Sequence, residues 1–212
     1  MRRHVFYPLE RPGLTFTSID PATFASRNFG DTGADFVLED TDGRSWRTSE
    51  LQYGHWTVLI WIFVDWCPVC HNEFAELMEL RSEFDQAGVR MATLESHDMW
   101  RGRVMVGKEI ESTLWKNRSW MAQRYRDAVW WPHLLDRAGA VGATFGTDPL
   151  AFAVHGEYVN RPTTVVLDPD GVVRWRYVGS FWGDRPSIRE TLEMVRTETF
   201  DFVHPRRLEA SD

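Results

Sequence analysis

Cys67 and Cys70 are the only two cysteines of this 212-residue chain, and they stand in "DWCPVCHNEF". Two thiols at that spacing admit three chemistries: a reversible dithiol–disulfide couple, half of a metal site, or an inert buried pair. The flanking residues bear on the choice. "WTVLIWIFV" before the motif is a β-branched and aromatic run of the kind buried on both faces of a parallel sheet. After it, Phe74, Leu77, Met78, Leu80 and Phe84 recur at three- and four-residue steps, which predicts a helix that Gly88 stops. The pair is therefore expected where a buried strand hands over to the first turn of a helix. The leading N–H groups of a helix lack partners and its dipole is positive there, so a thiolate gains over a thiol. Cysteines so placed have pKa values from about 3.5 to 7.5, against about 8.5 when free.

Across one helical turn the sulfurs are within bonding reach, so one can release what the other captures. Pro68 suits the first turn and stiffens the pair. As a mere staple the pair is a poor device, because so small a loop yields only about 2 kcal/mol in the chain-entropy view. Zinc wants four ligands at set spacing. His55, His97, His133 and His155 are scattered singly, and His71, beside Cys70, is expected to turn elsewhere on the helix. No metal and no cofactor are expected beyond a redox-active Cys67–Cys70 disulfide. Free cysteines are also common core residues, which leaves the inert pair as an alternative.

Composition narrows the partners. A formal charge of −7 argues against nucleic acid, which needs a clustered positive surface. Arg2–Arg3 and Arg206–Arg207 are terminal pairs, the usual pattern of solvated ends. With 43% hydrophobic and 26% charged residues, the balance is that of a globular protein. The run Val58–Val64 is far too short to span a bilayer, which takes about 20 helical residues. "MRRHVFYPLERPG" has no apolar core behind its arginines, so no secretory signal and no membrane role are expected. The expected compartment is the cytoplasm, where thiols are kept reduced and a CxxC is more often catalytic or metal-binding than structural.

The elements that must position the motif follow from pattern. Residues 1–32 read as an irregular N-terminal arm. "ADFVLED" and "SWRTSEL" flank "TDGR" as a β-hairpin. Then come the buried strand, the motif helix and a second strand, Val89–Glu95, as a parallel β–α–β unit. Residues 97–150 form an enlarged crossover with at least one helix, in "KEIESTLWKNRSWMAQRYRDAVWW", and a short strand start at "PHLLD". Trp100, Trp115, Trp120, Trp130 and Trp131 fall in this crossover. They are expected to pack it, or to build an aromatic wall for a substrate or for a homodimer contact. "TTVVLD" and "VVRWRYVG" around "PDG" predict a second hairpin, and "DRPSIRETLEMVRTE" a closing helix. In that helix Asp184 is the candidate cap, Pro186 suits the first turn, and Ile188, Leu192 and Val195 share one face. "FWGDRPS" is expected to cap it, with Arg185 as a residue that could instead line the site. A domain over 33–198 with a tail over 199–212 results, of α/β class.

"VLIWIFVDWCPVCHNEF" resembles the active-site segment of the thioredoxin-like redoxins, the superfamily of thiol–disulfide reductases and of alkyl hydroperoxide reductase-type peroxiredoxins. The resemblance runs from about Gly33 to Arg196, supported by "GADFVLEDTDGRSWRTSEL" and "RPTTVVLDPDGVVRWRYVG". It implies a thioredoxin-like fold, a central mixed sheet flanked by helices. It also implies that Trp66 shields the disulfide beside Pro68 and forms part of a docking surface. Pro162 matches the family's cis-proline, with Arg161 and Thr163 beside it on a loop that pairs with substrate; otherwise Pro162 would start an edge strand. Glu73 matches the acidic residue three after the second cysteine, which tunes a thiol or relays a proton; an exposed helix glutamate is the alternative.

The two branches of the superfamily assign the sulfurs differently. In a reductase Cys67 is the exposed nucleophile, Cys70 the resolver, and the substrate a disulfide-bearing protein or small thiol compound, with an external thiol as electron donor. In the peroxiredoxin register Cys70 becomes peroxidatic and Cys67 takes the place of a threonine. The loop proline of that register is absent at Phe63, and Arg161 lies one residue early for the peroxide-binding arginine. Dithiol–disulfide exchange is therefore the leading expectation, a thiol peroxidase the alternative, and a non-catalytic binding or metal-carrier module a further one.

Overall fold

A computed structural model describes residues 33, 35–109, 122, 124–126, 128–147, 152–154 and 157–204. The N-terminal arm, most of the helix expected in the crossover (with Trp115 and Trp120) and the tail beyond 204 lie outside the described residues.

The first hairpin forms as β1 (Val37–Glu39) and β2 (Ser45–Arg47), antiparallel, with Gly43 at a φ of 77° in its turn. A left-handed turn position is open to glycine at no steric cost. The return strand is shorter than "SWRTSEL" predicts, because Thr48–Gln52 is helical (α1) and inserts Leu51 into the core.

β3 (Thr57–Trp61) is buried at every position, as its unbroken apolar run requires. It lies parallel to β4 (Arg90–Glu95), which lies parallel to β5 (His133–Leu135). On the other side β8 (Thr163–Leu167) runs antiparallel to β3, and β9 (Val173–Val178) antiparallel to β8 through the Asp168–Gly171 turn. The order β5-β4-β3-β8-β9 is a mixed sheet with β3 at its centre. A second small hairpin, β6 (Phe152–Val154) with β7 (Glu157–Val159), has no counterpart in the pattern of the sequence.

The motif helix is two helices, α2 (Pro68–Glu79) and α3 (Arg81–Ala87). The chain turns at Leu80, whose side chain is fully buried, and Gly88 ends α3 at a φ of 64°. The crossover contributes α4 (Met99–Met105) and α5 (Ala140–Thr144). The chain closes with α6 (Ile188–Thr197).

One face of the sheet packs Val58, Ile60 and Ile62 against Phe74, Leu77 and Phe84 and against Ile188, Leu192 and Val195 of α6. The other packs Leu59, Trp61, Leu94 and Val165 against Phe145, Leu51 and Phe36. Of the crossover tryptophans, Trp131 is buried with its N–H on Thr93 Oγ1, Trp130 is half-buried, and Trp100 is exposed.

The cap of α6 is Ser187, in a reciprocal capping box with Glu190. Asp184 does not cap it. That carboxylate is buried and accepts from Tyr177 Oη (2.5 Å) and from the Ser180 N–H (2.6 Å), which fixes the loop before the helix. Pro186 accordingly lies ahead of the helix. No helix among the described residues is long and apolar enough to cross a membrane.

Candidate active site

Cys67 is the N-cap of α2 and Pro68 its first residue, so the motif sits where the sequence places it, at the end of a buried strand. Its surroundings differ from expectation in one respect. Cys67 is 1% exposed and Cys70 0%, both as free thiols, and the accessible members of the motif are Pro68 and, in part, Trp66 and Val69. Cys67 is therefore not an exposed nucleophile. It belongs to the same apolar cluster as Phe63 and Phe74, and Trp66 meets Phe63 edge-on beside it.

The charge falls on the second sulfur. Arg185 Nη2 lies 3.2 Å from Cys70 Sγ, and the Phe63 N–H donates to the same sulfur at 3.4 Å. Burial opposes ionisation of Cys70. A hydrogen bond from the Cys67 thiol, the Arg185 guanidinium and backbone N–H groups outweigh it and hold Cys70 well below the usual thiol range. Cys67 is pushed up, first by donating its proton to Cys70 and then by burial. Acidification comes from the Cys67 thiol, a guanidinium and the strand-end backbone, with no side-chain cap bond from Cys67 to the helix.

Glu73 is one turn along α2 from Cys70, buried, and its Oε2 is 2.9 Å from Arg185 Nη1. It is not a solvated helix residue. Burial pushes its carboxyl up to about 8; Arg185 pulls it down, and Cys70 and Glu76 add to the rise. One guanidinium thus serves two acids that compete for it. Arg185 is itself buried and its charge strengthened by Cys70 and Glu73, against the cost of burial. A third contact, Arg185 Nη2 to the Trp182 carbonyl at 2.9 Å, ties it to its own loop.

α2 also holds that loop from below. Glu76 accepts from the first two amides of α6, Ile188 N (3.0 Å) and Arg189 N (3.1 Å). Cys70, Glu73 and Glu76 therefore form one face of α2, directed at the loop and helix that carry Arg185.

On the other side of the motif, Asp65 is buried and accepts from Arg101 of α4, through Nε at 2.7 Å and through Nη2. The ring nitrogens of His71 face Asp65 and Tyr125 rather than the sulfurs. The ring is buried, with Nε2 at 2.6 Å from the Asp65 carbonyl and Nδ1 on Tyr125 Oη, whose hydroxyl donates to the Met105 carbonyl at 2.8 Å.

The loop expected to face substrate lies at the same end of the sheet, since Thr163 pairs with Trp61 at the exit of β3. Pro162 is buried and its peptide bond is trans, the lower-energy form for any Xaa–Pro bond. Its carbonyl accepts from Gly179 N at 2.8 Å. It precedes β8, an interior strand, so it starts no edge. Arg161 is half-buried, and Thr163 Oγ1 donates to its carbonyl. The guanidinium on the sulfur is Arg185, which "FWGDRPS" contained but whose partner, 115 residues away, no local pattern could name. No group of three or more His, Cys, Asp or Glu among the described residues could hold a metal ion.

The chain is similar to known proteins. The model of the AhpC/TSA family matches residues 29–176. The thiol-disulfide oxidoreductase ResA of Geobacillus thermodenitrificans is 27% identical over 167 residues, 79% of this chain and 78% of its own. Among solved structures, the peroxidoxin BcpB of Mycobacterium tuberculosis superposes with a TM-score of 0.62 at 23% identity, over 81% of this chain and 97% of that one. PrxQ of Xylella fastidiosa, solved as a cysteine-to-serine mutant, does so at 0.63 and 14% identity, over 82% and 98%. The fold is thioredoxin-like, and the chain belongs to the AhpC/TSA family.

Proposed function

We propose that this protein is a thiol–disulfide oxidoreductase whose working couple is Cys67 and Cys70, with Cys70 the thiolate of the reduced state. The observation that carries the reading is the Arg185 guanidinium 3.2 Å from the Cys70 sulfur, with Cys67 at the start of the same helix. A thiolate is the attacking species in disulfide exchange, and the neighbouring thiol is its resolver. One enzyme sulfur attacks a substrate disulfide, forms a mixed disulfide and expels one substrate thiolate. The other attacks that mixed disulfide, releases the second substrate thiol and closes the Cys67–Cys70 bond. Two electrons pass to the substrate, and an external thiol donor returns them. Glu73 and Arg185 serve the proton and charge changes of the couple, and Trp66, Pro68 and the Arg161–Thr163 segment border it. We place the reaction in the cytoplasm, where both cysteines would be kept as free thiols.

A second reading is favoured by the burial of both cysteines, each no more than 1% exposed. A small hydroperoxide reaches such a site more readily than a protein disulfide does. The Cys70 thiolate would attack the peroxide oxygen, releasing water or an alcohol after protonation and leaving a sulfenic acid. Cys67 would then condense with it, expelling water and closing the same disulfide.

Turnover of insulin and of a small model disulfide, beside consumption of hydrogen peroxide, separates the two. Reductase activity lost in both Cys67→Ser and Cys70→Ser supports the first reading. Fast peroxide consumption that dies with Cys70→Ser, alongside inert disulfides, moves the assignment to the second. Inactivity toward both oxidants would sink the redox proposal.

A further inference from the structure

β9 ends at Val178, paired with Thr163, and the next residue is Gly179. Its N–H donates to the Pro162 carbonyl at 2.8 Å, after which the chain enters the loop that carries Arg185. Gly179 is buried and is not one of the glycines with a left-handed φ, so its backbone conformation does not call for glycine. Space does. A Cβ there would run into the Asp184 carbonyl oxygen, and would lie 2.9 Å from Pro162 Cγ and 3.1 Å from the Pro162 carbonyl oxygen. Two of these three obstacles are backbone atoms, which cannot swing aside as the end of a long side chain can.

Asp184 is held by its other groups as well. Its carboxylate accepts from Tyr177 Oη at 2.5 Å and from the N–H and hydroxyl of Ser180, both at 2.6 Å. Its N–H donates to the Phe181 carbonyl at 3.0 Å. The loop is thus wound back onto the end of β9, with the Asp184 side chain on Tyr177 and Ser180 and its carbonyl against the bare Cα of Gly179. Arg185 is the next residue. Its guanidinium meets Cys70 Sγ at 3.2 Å, Glu73 Oε2 at 2.9 Å and the Trp182 carbonyl at 2.9 Å. A guanidinium is a rigid planar fork, so three contacts at once tolerate little displacement of the Cα behind it. The peptide that sets that Cα includes the carbonyl seated on Gly179.

We propose that Gly179 is a positioning residue for the thiolate: lacking a side chain, it seats the Asp184 carbonyl at the end of β9 and so delivers the Arg185 guanidinium to Cys70. The same seat brings the Arg161–Thr163 segment and the Arg185 loop together, because Pro162 walls one side of it.

The inference rests on Cys70 being the thiolate of the reduced protein, as proposed above, and its test reads that sulfur and not turnover. Thiolate formation is followed by ultraviolet absorbance across pH in the wild type, Gly179→Ala, Arg185→Met and the double variant, with urea unfolding to establish that each is folded. At a pH where the wild type is partly ionised, Gly179→Ala is expected to hold about tenfold less thiolate, the scale of an opposite charge drawn back from contact. In Arg185→Met the same substitution should change nothing further, since no guanidinium is left to misplace. Tyr177→Phe keeps its ring contacts with Trp175 and Phe202 and loses the bond to Asp184, so a smaller fall in the same direction is expected. It decides the matter alone if Gly179→Ala does not fold, and an unchanged titration there overturns the proposal. A folded Gly179→Ala protein that titrates as the wild type does, or a loss of thiolate that persists undiminished without Arg185, overturns it too. A wild-type Cys70 that ionises only in the ordinary thiol range would overturn the thiolate reading itself, and the inference with it.

Discussion

Arg185 reaches Cys70 from a loop 115 residues further along the chain, with Nη2 3.2 Å from Sγ. It is a buried cation against a buried anion, and neither would be tolerated there alone. Arg185→Met should therefore raise the Cys70 titration and cut thiolate alkylation at neutral pH by about tenfold or more, the scale of an opposite charge lost at contact. Arg185→Lys should recover part of this, since an ammonium restores the charge without spanning Cys70, Glu73 and the Trp182 carbonyl together. Alkylation rates followed across pH give the check. An unchanged profile in Arg185→Met would show that the Cys67 thiol and the backbone set the thiolate without it.

Glu73 turns the same cluster into a pH dependence of stability. Its folded-state carboxyl titrates near 8, burial being the main cause, against about 4.3 for an unfolded glutamate. Between those values the folded protein holds a proton that the unfolded chain does not. The group's contribution is thus fully present below the unfolded value and is lost as pH rises through about 8. Urea unfolding of the reduced protein should show the advantage of the wild type over Glu73→Gln shrinking from about pH 5 to about pH 8, within the window between about 4.3 and 8. A difference that stays flat, or grows with pH, contradicts the assignment.

What the sequence discloses follows the range of its signals. The strand before Cys67, the helix after Cys70 and the hairpin through Asp168–Gly171 are local patterns, and all are present. Glu73 is singled out only by the resemblance to the redoxins, as the acidic residue three after the second cysteine. The partners of these residues are not legible, since each comes from a distant element. His71 meets Tyr125 at a separation of 54 residues, and Asp65 meets Arg101 at 36. Even Asp184 and Ser187, both good caps in sequence, are separated only by tertiary structure. Tyr177 and Ser180 claim Asp184, and the helix starts after Ser187. The burial of Cys67 is likewise invisible, because a residue at a helix start is exposed or covered according to what packs over it.

The link between α2 and α6 can be tested apart from the chemistry. Glu76 supplies a carboxylate to two amides at the start of α6 that would otherwise lack helical partners. Glu76→Ala should cost about 0.5–2 kcal/mol, the range of a lost helix cap, by chemical denaturation. Because the same helix start follows directly on Arg185, the variant should also slow alkylation at Cys70, by less than Arg185→Met does. Lost stability with full thiolate reactivity would mean that Asp184 and its hydrogen bonds hold the Arg185 loop unaided.

On the opposite flank, the grip of Arg101 on Asp65 depends on how closely α4 approaches the sheet. Gly102 allows it: a Cβ there would lie 2.7 Å from Leu135 Cδ2 and 2.9 Å from Glu95 Oε1. Glu95 is fully buried beneath the helix, so its carboxylate has no solvent to swing into. Gly102→Ala must therefore lift α4 or displace Glu95, although alanine is the better helix former by about 1 kcal/mol. Overpacking of this kind costs about 1–3 kcal/mol, and the net effect should be destabilising in urea. Lifting α4 also draws Arg101 from Asp65 and the Met105 carbonyl from Tyr125, so amide hydrogen exchange should quicken in the Asp65–Cys67 turn. A Gly102→Ala protein as stable as the wild type, with that turn equally protected, would show that α4 does not hold the active-site loop.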